Sequence, residues 1–177
     1  MRLLQFRNKY VAAGVIPLAD TNVSELLDSV LRNFKNVQLV DASKVMDWDV
    51  FDAAVVNAVL AFGTPKQKAK TIANEILIRL AATTQVDEAI KKLGLTPNSK
   101  EAVFYVVGDD SESVVDTVHK LLQFTKTSEK ELLTDVEINE LQQSYGLTDE
   151  QIAAVQAQTR RDAVKLLVIQ KIASSMV

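Results

Sequence analysis

The sequence of 177 residues contains no cysteine, one histidine and only five glycines. The absence of cysteine excludes disulfides, thiolate nucleophiles and cysteine-ligated zinc. The single histidine, His119, excludes multi-histidine metal sites and leaves a catalytic triad with one candidate base. No two glycines have the spacing of a dinucleotide fingerprint. We therefore expect no metal and no cofactor, and interpret His119 as an ordinary helix residue.

Long hydrophobic runs are also missing. No apolar segment approaches the length of a membrane span, and the amino-terminal stretch is interrupted by Arg7, Asn8 and Lys9. We expect neither a secretory signal nor a membrane span, and a cytoplasmic location. The length is that of one domain, residues 1–177, in which residues 134–177 form a helical carboxy-terminal part.

Apolar periodicity and turn signals predict a single compact α/β domain, with a mixed sheet flanked by helices and a helical tail. The predicted strands are residues 3–6 and 10–16, separated by a turn, then 37–40, 71–81, 102–107 and a short edge strand at 131–133. The predicted helices are residues 22–34, 49–62, 85–93, 110–124, a helix starting near 134, and a long helix from 149 to 174.

Capping signals set the predicted helix ends. Thr134 and Thr148 each begin a capping box, and Gly146 separates the two helices that these boxes start. Thr84 is predicted to cap the helix at 85–93, and Gly94 to adopt the left-handed conformation after it.

Two pairs of acidic residues lie at predicted element boundaries, Asp47 with Asp49 and Asp109 with Asp110. Carboxylates are favoured at helix amino termini. Capping therefore explains these pairs better than acid–base catalysis does.

A basic segment stands out because the overall charge is −3, which provides no general attraction to nucleic acid. Residues 53–74 contain no acid, and Lys66, Lys68 and Lys70 lie within them. A phosphate-binding P-loop is excluded, since the motif starting at Gly63 would need glycine and lysine where Lys68 and Ala69 stand. A solvated loop and a surface that binds a nucleic-acid backbone both fit this charge pattern.

The predicted strand at 71–81 sets the expected directions of side chains around these lysines. In an extended chain, alternate residues share a face, so the three lysines would project together with Asn74. Thr71 and Arg79 would then lie on the opposite face. Only a groove would bring all six side chains to one ligand.

The closing helix is apolar around nearly its whole circumference between Val164 and Ile172. A helix packed on one core shows a single apolar stripe. This helix is therefore either buried on two sides or docked on a partner, and internal packing is the more frequent explanation.

The stretch KQKAKTIANEILIRLAATTQVDEAIKKLGL, residues 66–95, resembles the small kinase-binding subunit of the KEOPS (EKC) complex, the PRPK-binding protein family. That family has three alternating basic residues, a hydroxyl or amide residue, a strand beginning at a glutamate, and an [IV]-x-[ED]-A-[ILF]-K-K-[ILF]-G helix. The corresponding positions here are the three lysines, Thr71, Glu75 and residues 86–94. The remainder of the chain is similar only in pattern and position.

The resemblance implies an α/β fold without catalytic activity, which docks on the amino-terminal lobe of a small atypical kinase. The complex of these proteins makes threonylcarbamoyladenosine in tRNA, and in archaeal relatives the subunit grips tRNA, including its single-stranded CCA end. The tRNA contacts that the resemblance implies are Lys66, Lys68, Lys70 and Thr71, with Asn74 and Arg79 as neighbours. The kinase contacts that it implies on the closing helix are Val164, Leu167, Val168, Lys171 and Ile172.

The second and third basic positions are lysine here, where relatives often have arginine. Bidentate contact with phosphate would be lost, although a point charge remains. Two alternatives stay open. The chain could be a pure protein scaffold of the same complex without direct RNA contact, or an enzyme, which a deep pocket lined by convergent polar groups would indicate.

Overall fold

The computed structural model describes residues 1–19, 21–132 and 136–175. Its centre is a four-stranded antiparallel sheet with the spatial order β1-β2-β4-β3. The strands are β1 Arg2–Phe6, β2 Lys9–Pro17, β3 Val37–Asp41 and β4 Glu101–Gly108. In the register of the sheet, Tyr105 of β4 lies opposite Ala13 of β2 and Gln38 of β3.

Eight α-helices lie in the described part of the chain. They are α1 Val23–Asn33, α2 Trp48–Ala61, α3 Ile72–Leu80, α4 Val86–Leu93, α5 Ser111–Thr125, α6 Ile138–Ser144, α7 Asp149–Ala154 and α8 Arg160–Ser174. A short 3-10 helix, Ala42–Lys44, follows β3. None of the helices described is long and apolar enough to cross a membrane.

The central strand β4 divides the apolar interior into two cores. Successive side chains of a strand point to opposite faces. Phe104 and Val106 therefore pack against α1 and α5, whereas Val103 and Tyr105 pack on the side of α2, α3 and α8. Because both faces are covered, β4 is one continuous apolar run. The predicted α/β class, a sheet flanked by helices in one compact domain, is confirmed. The sheet was predicted to be mixed, but its three strand pairs are all antiparallel.

Local sequence signals account for most element boundaries. The predicted hairpin is confirmed as β1 and β2. Asn22, Asp47 and Asp110 each cap a helix by accepting a hydrogen bond from the backbone N–H three residues later. The capping box that begins at Thr148 is present in full. The acidic pairs thus lie at helix starts, as predicted.

The strand predicted at residues 71–81 is wrong, because these residues form helix α3. Thr71 caps the helix by accepting a hydrogen bond from the Asn74 N–H at 3.2 Å. Eight of the nine residues of α3 are buried between the sheet and the neighbouring helices. An apolar run that is buried on all sides shows neither a helical nor a strand period. The alternation that predicted a strand therefore had no structural meaning.

The long helix predicted at 149–174 is also wrong, since it consists of two helices. α7 ends at Ala154, and α8 begins at Arg160 after the cap residue Thr159. The Thr159 hydroxyl accepts a hydrogen bond from the Asp162 N–H at 3.1 Å, which starts a new helix.

Three smaller predictions need correction. Helix α4 is capped by Gln85 without a side-chain hydrogen bond, so Thr84 is not its cap. Gly94 has a φ of −63° and is not left-handed. A side chain at Gly94 is excluded for another reason, because its Cβ would lie 2.3 Å from the Ile90 carbonyl oxygen.

Two further predictions fall partly outside the described residues. Of the edge strand predicted at 131–133, residues 131 and 132 are not extended in a sheet, and only Lys130 forms an isolated bridge, to Val15. Thr134 lies outside the described residues. The helix that its box was predicted to start, α6, begins at Ile138 after the cap residue Glu137.

Candidate functional site

The three lysines lie in the connection between α2 and α3, residues 63–71, which we call the basic loop. Lys66, Lys68 and Lys70 are all exposed. In the described ranges, no carboxylate forms a salt bridge with any of the three ammonium groups. Within the described part of the chain, the basic loop therefore carries three positive charges without a salt-bridge partner, on a protein whose net charge is −3.

The basic loop is built from turns and bends, so the pleat that was expected to align the lysines is absent. The loop is braced from within by Gln67. Its side-chain oxygen accepts a hydrogen bond from the Gly63 N–H at 2.8 Å, and its amide donates to the Ala69 carbonyl at 2.7 Å. Ala69 is buried, with 4% exposure. Inward anchoring of Gln67 and Ala69 leaves the alternate lysines outside.

A buried ion pair supports the basic loop from the interior. Glu75 and Arg79 lie one turn apart on α3, and both side chains are 0% exposed. The Glu75 carboxylate accepts hydrogen bonds from the backbone N–H groups of Lys68, at 2.9 Å, and Ala69, at 2.8 Å. Arg79 donates to the Lys66 carbonyl at 2.9 Å and to the Ser175 carbonyl at 2.7 Å.

The other three residues that the resemblance associates with tRNA differ in their exposure to solvent. Thr71 is exposed, and its hydroxyl is used as the cap of α3. Asn74 is half-buried, and its side-chain oxygen accepts a hydrogen bond from Gln38 at 2.6 Å. Arg79, expected as a neighbouring contact, has no exposed surface and directs its guanidinium to protein acceptors. The structure therefore does not bring Arg79 to the surface of the basic loop.

The expected partner residues on α8 divide into an inner and an outer group. Val164, Val168 and Ile172 are 0% exposed and belong to the core on the side of α2, so they do not form a surface. Leu167 and Lys171 are half-buried. Internal packing thus explains one side of the apolar helix.

The outer side of α8 carries an apolar stripe that the expected residues do not include. Leu166 is 51% exposed, Ile169 is half-buried and Ala173 is exposed. Residues at spacings of three and four lie on one helix face. We call Leu166, Ile169 and Ala173 the outer stripe. The sequence contained a signal for an exposed apolar face, because the closing helix is apolar around nearly its whole circumference.

Helix α8 is fastened near both ends. Lys165 forms a salt bridge with Asp47 at 2.9 Å and another with Asp49, both at the start of α2. The hydrogen bonds that the Lys165 ammonium donates to Asp49 and then to Asp47 are the main reason that the pKa of Lys165 is raised. At the other end, the Ser175 carbonyl is bound by Arg79 of α3.

A second lysine cluster was not identified from the sequence. The Lys92 ammonium lies 3.7 Å from the centroid of the Tyr145 ring and donates to the Ala81 carbonyl at 2.7 Å. Burial, and then the positive charge of Lys171, lower the pKa of Lys92 to about 8. Lys92 belongs to the matched helix, but Tyr145 and Lys171 come from distant parts of the chain, so this arrangement had no local signal.

The structure also places the groups that an enzyme could use. His119 is exposed on α5. A cavity of 490 Å³ beside the end of β3 is lined by Asp41, Ser43 and Ser99, among others. The Asp41 carboxylate already accepts hydrogen bonds from both serine hydroxyls. In the described residues no group of three or more acidic or histidine side chains is placed to hold a metal ion.

Fold and site together define a small three-layer α/β domain with an exposed basic loop held on a buried ion pair. The family model for kinase binding protein CGI-121 matches residues 19–175. The KEOPS complex subunit Cgi121 of Pyrococcus abyssi (strain GE5 / Orsay) is 31% identical over 121 residues, which cover 67% of each chain. The chain belongs to the kinase-binding CGI-121 family. The resemblance noted in residues 66–95 is thereby confirmed.

Proposed function

We propose that this chain is a non-catalytic, cytoplasmic subunit of a KEOPS complex that binds both the partner kinase and tRNA. It would thereby support threonylcarbamoyladenosine modification of tRNA. Its family is kinase-binding, and the relative from Pyrococcus abyssi is a KEOPS subunit. The observation that carries the tRNA role is the basic loop, with three exposed lysines that lack carboxylate partners in the described residues.

Lysine contacts with phosphates give an affinity that is independent of sequence and falls with salt, because binding releases condensed counterions. An unpaired 3′ CCA end can also offer its bases to side chains, which a duplex cannot do. These arguments support the CCA end as the ligand of the basic loop.

The tRNA role predicts that intact tRNA binds more tightly than tRNA lacking the CCA end. Loss of two or more phosphate contacts should weaken binding about tenfold or more near 0.1 M salt. Filter binding would measure both dissociation constants, and enzymatic restoration of the trimmed end serves as the matched control. Equal affinity for the two RNAs would refute CCA recognition. Absence of binding to either would favour the pure scaffold.

The kinase role is assigned to the outer stripe of α8, because its inner side is already packed. Leu166→Arg should weaken kinase binding by at least about tenfold, since a charge would enter an apolar interface. Co-elution on size exclusion and calorimetric titration would measure the effect. Leu31→Arg is the matched control, because Leu31 is 44% exposed on α1, across the sheet. Undiminished kinase binding by Leu166→Arg would show that the kinase does not bind the outer stripe.

A further inference from the structure

The buried pair of Glu75 and Arg79 has no solvent contact, and the hydrogen bonds it makes beyond the pair go to backbone groups elsewhere in the chain. Desolvation of two charges is costly, and apolar side chains of similar volume often give equal or better stability. Stability alone therefore does not account for an ion pair at this position. The groups that the pair binds point to another role.

The pair holds the backbone of the basic loop on both sides of Gln67. Arg79 binds the carbonyl of Lys66, and Glu75 binds the N–H groups of Lys68 and Ala69. These backbone groups face the interior, while the side chains of Lys66 and Lys68 are exposed. The pair thus determines which side of the loop faces the solvent.

We infer that Glu75 and Arg79 are positioning residues that preorganise the basic loop for an anionic strand. This inference rests on the proposed tRNA role. A loop already fixed in its bound conformation loses less conformational freedom on association, so it binds more tightly with the same charges. Arg79 acts from inside the fold, although the resemblance implied it as a neighbour of the tRNA contacts.

Arg79 also joins the basic loop to α8. The Arg79 guanidinium binds the Lys66 carbonyl and also the carbonyl of Ser175, a residue that lies 96 positions after Arg79 in the chain. The conformation of the loop therefore depends on the last turn of α8. Any partner that orders or displaces this turn would alter RNA affinity, and RNA would alter the affinity for that partner by the same factor.

The test is the double variant Glu75→Met/Arg79→Met. It removes the loop anchors but leaves no isolated buried charge, so the domain should still unfold cooperatively. Hydrogen exchange of residues 63–71 should accelerate, and tRNA affinity should fall about tenfold. The salt dependence should keep its wild-type slope, because all three lysines remain. A loss of lysine contacts would reduce that slope.

The matched control is Asp116→Met/Lys120→Met, an exposed pair with the same spacing on α5. Both double variants keep the net charge of −3. The control should bind tRNA with wild-type affinity. If the apolar double variant does not fold, Arg79→Lys is measured instead. This variant keeps a charge beside Glu75 but lacks the planar fork of the guanidinium, and it should show the same faster exchange and weaker binding.

Two results would overturn the inference, and they are distinguishable. If wild-type protein does not bind tRNA, the proposed function fails and the inference fails with it. If wild-type protein binds tRNA and the variant Glu75→Met/Arg79→Met binds it equally well, the tRNA role stands and the positioning role alone is wrong. Faster exchange with unchanged affinity would show that preorganisation contributes nothing.

Discussion

Glu75→Gln is expected to destabilise the folded protein by about 3–5 kcal/mol, because it leaves the charge of Arg79 buried without its partner. Glutamine also replaces a carboxylate oxygen with an amide donor. In the wild type, the two Glu75 oxygens accept hydrogen bonds from Arg79 and from the N–H groups of Lys68 and Ala69. Either orientation of the amide therefore faces a donor with a donor.

Thermal unfolding would measure this loss as a fall of roughly 6–20 °C in the midpoint for a chain of this size. The matched control is Asp116→Asn, which removes the acid of an exposed pair with the same spacing on α5. That change should cost about 0.5 kcal/mol or less. A midpoint for Glu75→Gln close to that of the control would contradict the structural importance of the pair.

Neutralisation of the three lysines of the basic loop is expected to cause a large loss of tRNA affinity. The triple variant Lys66→Gln/Lys68→Gln/Lys70→Gln should reduce the slope of log affinity against log salt by about two units, at about 0.7 per lysine on a single strand. If the contribution of the lysines vanishes near 1 M salt, this slope corresponds to about 100-fold weaker tRNA binding near 0.1 M. Filter binding across a salt series would measure both quantities.

The control for this variant neutralises Lys35, Lys120 and Lys126, which are exposed on the side of α1 and α5. Both triple variants lower the net charge by three, so a general electrostatic effect would appear equally in each. Only the loop variant should lose affinity. An equal loss in both would indicate nonspecific attraction, and no loss in the loop variant would refute the RNA role of the basic loop. Kinase binding should persist in both.

Features determined by neighbouring residues could be predicted from the sequence. The hairpin of β1 and β2 and the helix caps at Asn22, Asp47 and Thr148 depend on interactions within a few residues. The exposure of the lysines also agreed with their charge. The backbone conformation expected to expose them was wrong, since the loop has turns rather than a pleat.

Helix α3 could not be recognised from periodicity, because it is surrounded by the sheet, α2, α4 and α8. Two local signals were nevertheless available. Thr71 stands three residues before Asn74 as a helix cap, and Glu75 precedes Arg79 at the spacing of a helical ion pair. Similarly, Thr159 three residues before Asp162 marked the start of α8.

The complete burial of the Arg79 side chain had no local signal in the sequence. Its acceptors, Lys66 and Ser175, come from distant parts of the chain and meet only in the folded core. Arginine is rarely buried unless it is paired, so a surface role was the natural expectation. The sequence also could not show which side of α8 faces the core, because packing against α2 is a property of the tertiary structure.

The fastening of α8 at both ends gives the domain a fixed internal distance. Lys165 holds one end to α2, and Arg79 holds the Ser175 end to α3. From Leu166 to Ser175 the helix advances about 14 Å at 1.5 Å per residue. In the function proposed here, this attachment would hold the outer stripe in a fixed position relative to the basic loop, so that the kinase and the 3′ end of tRNA would be bound in one defined relative arrangement.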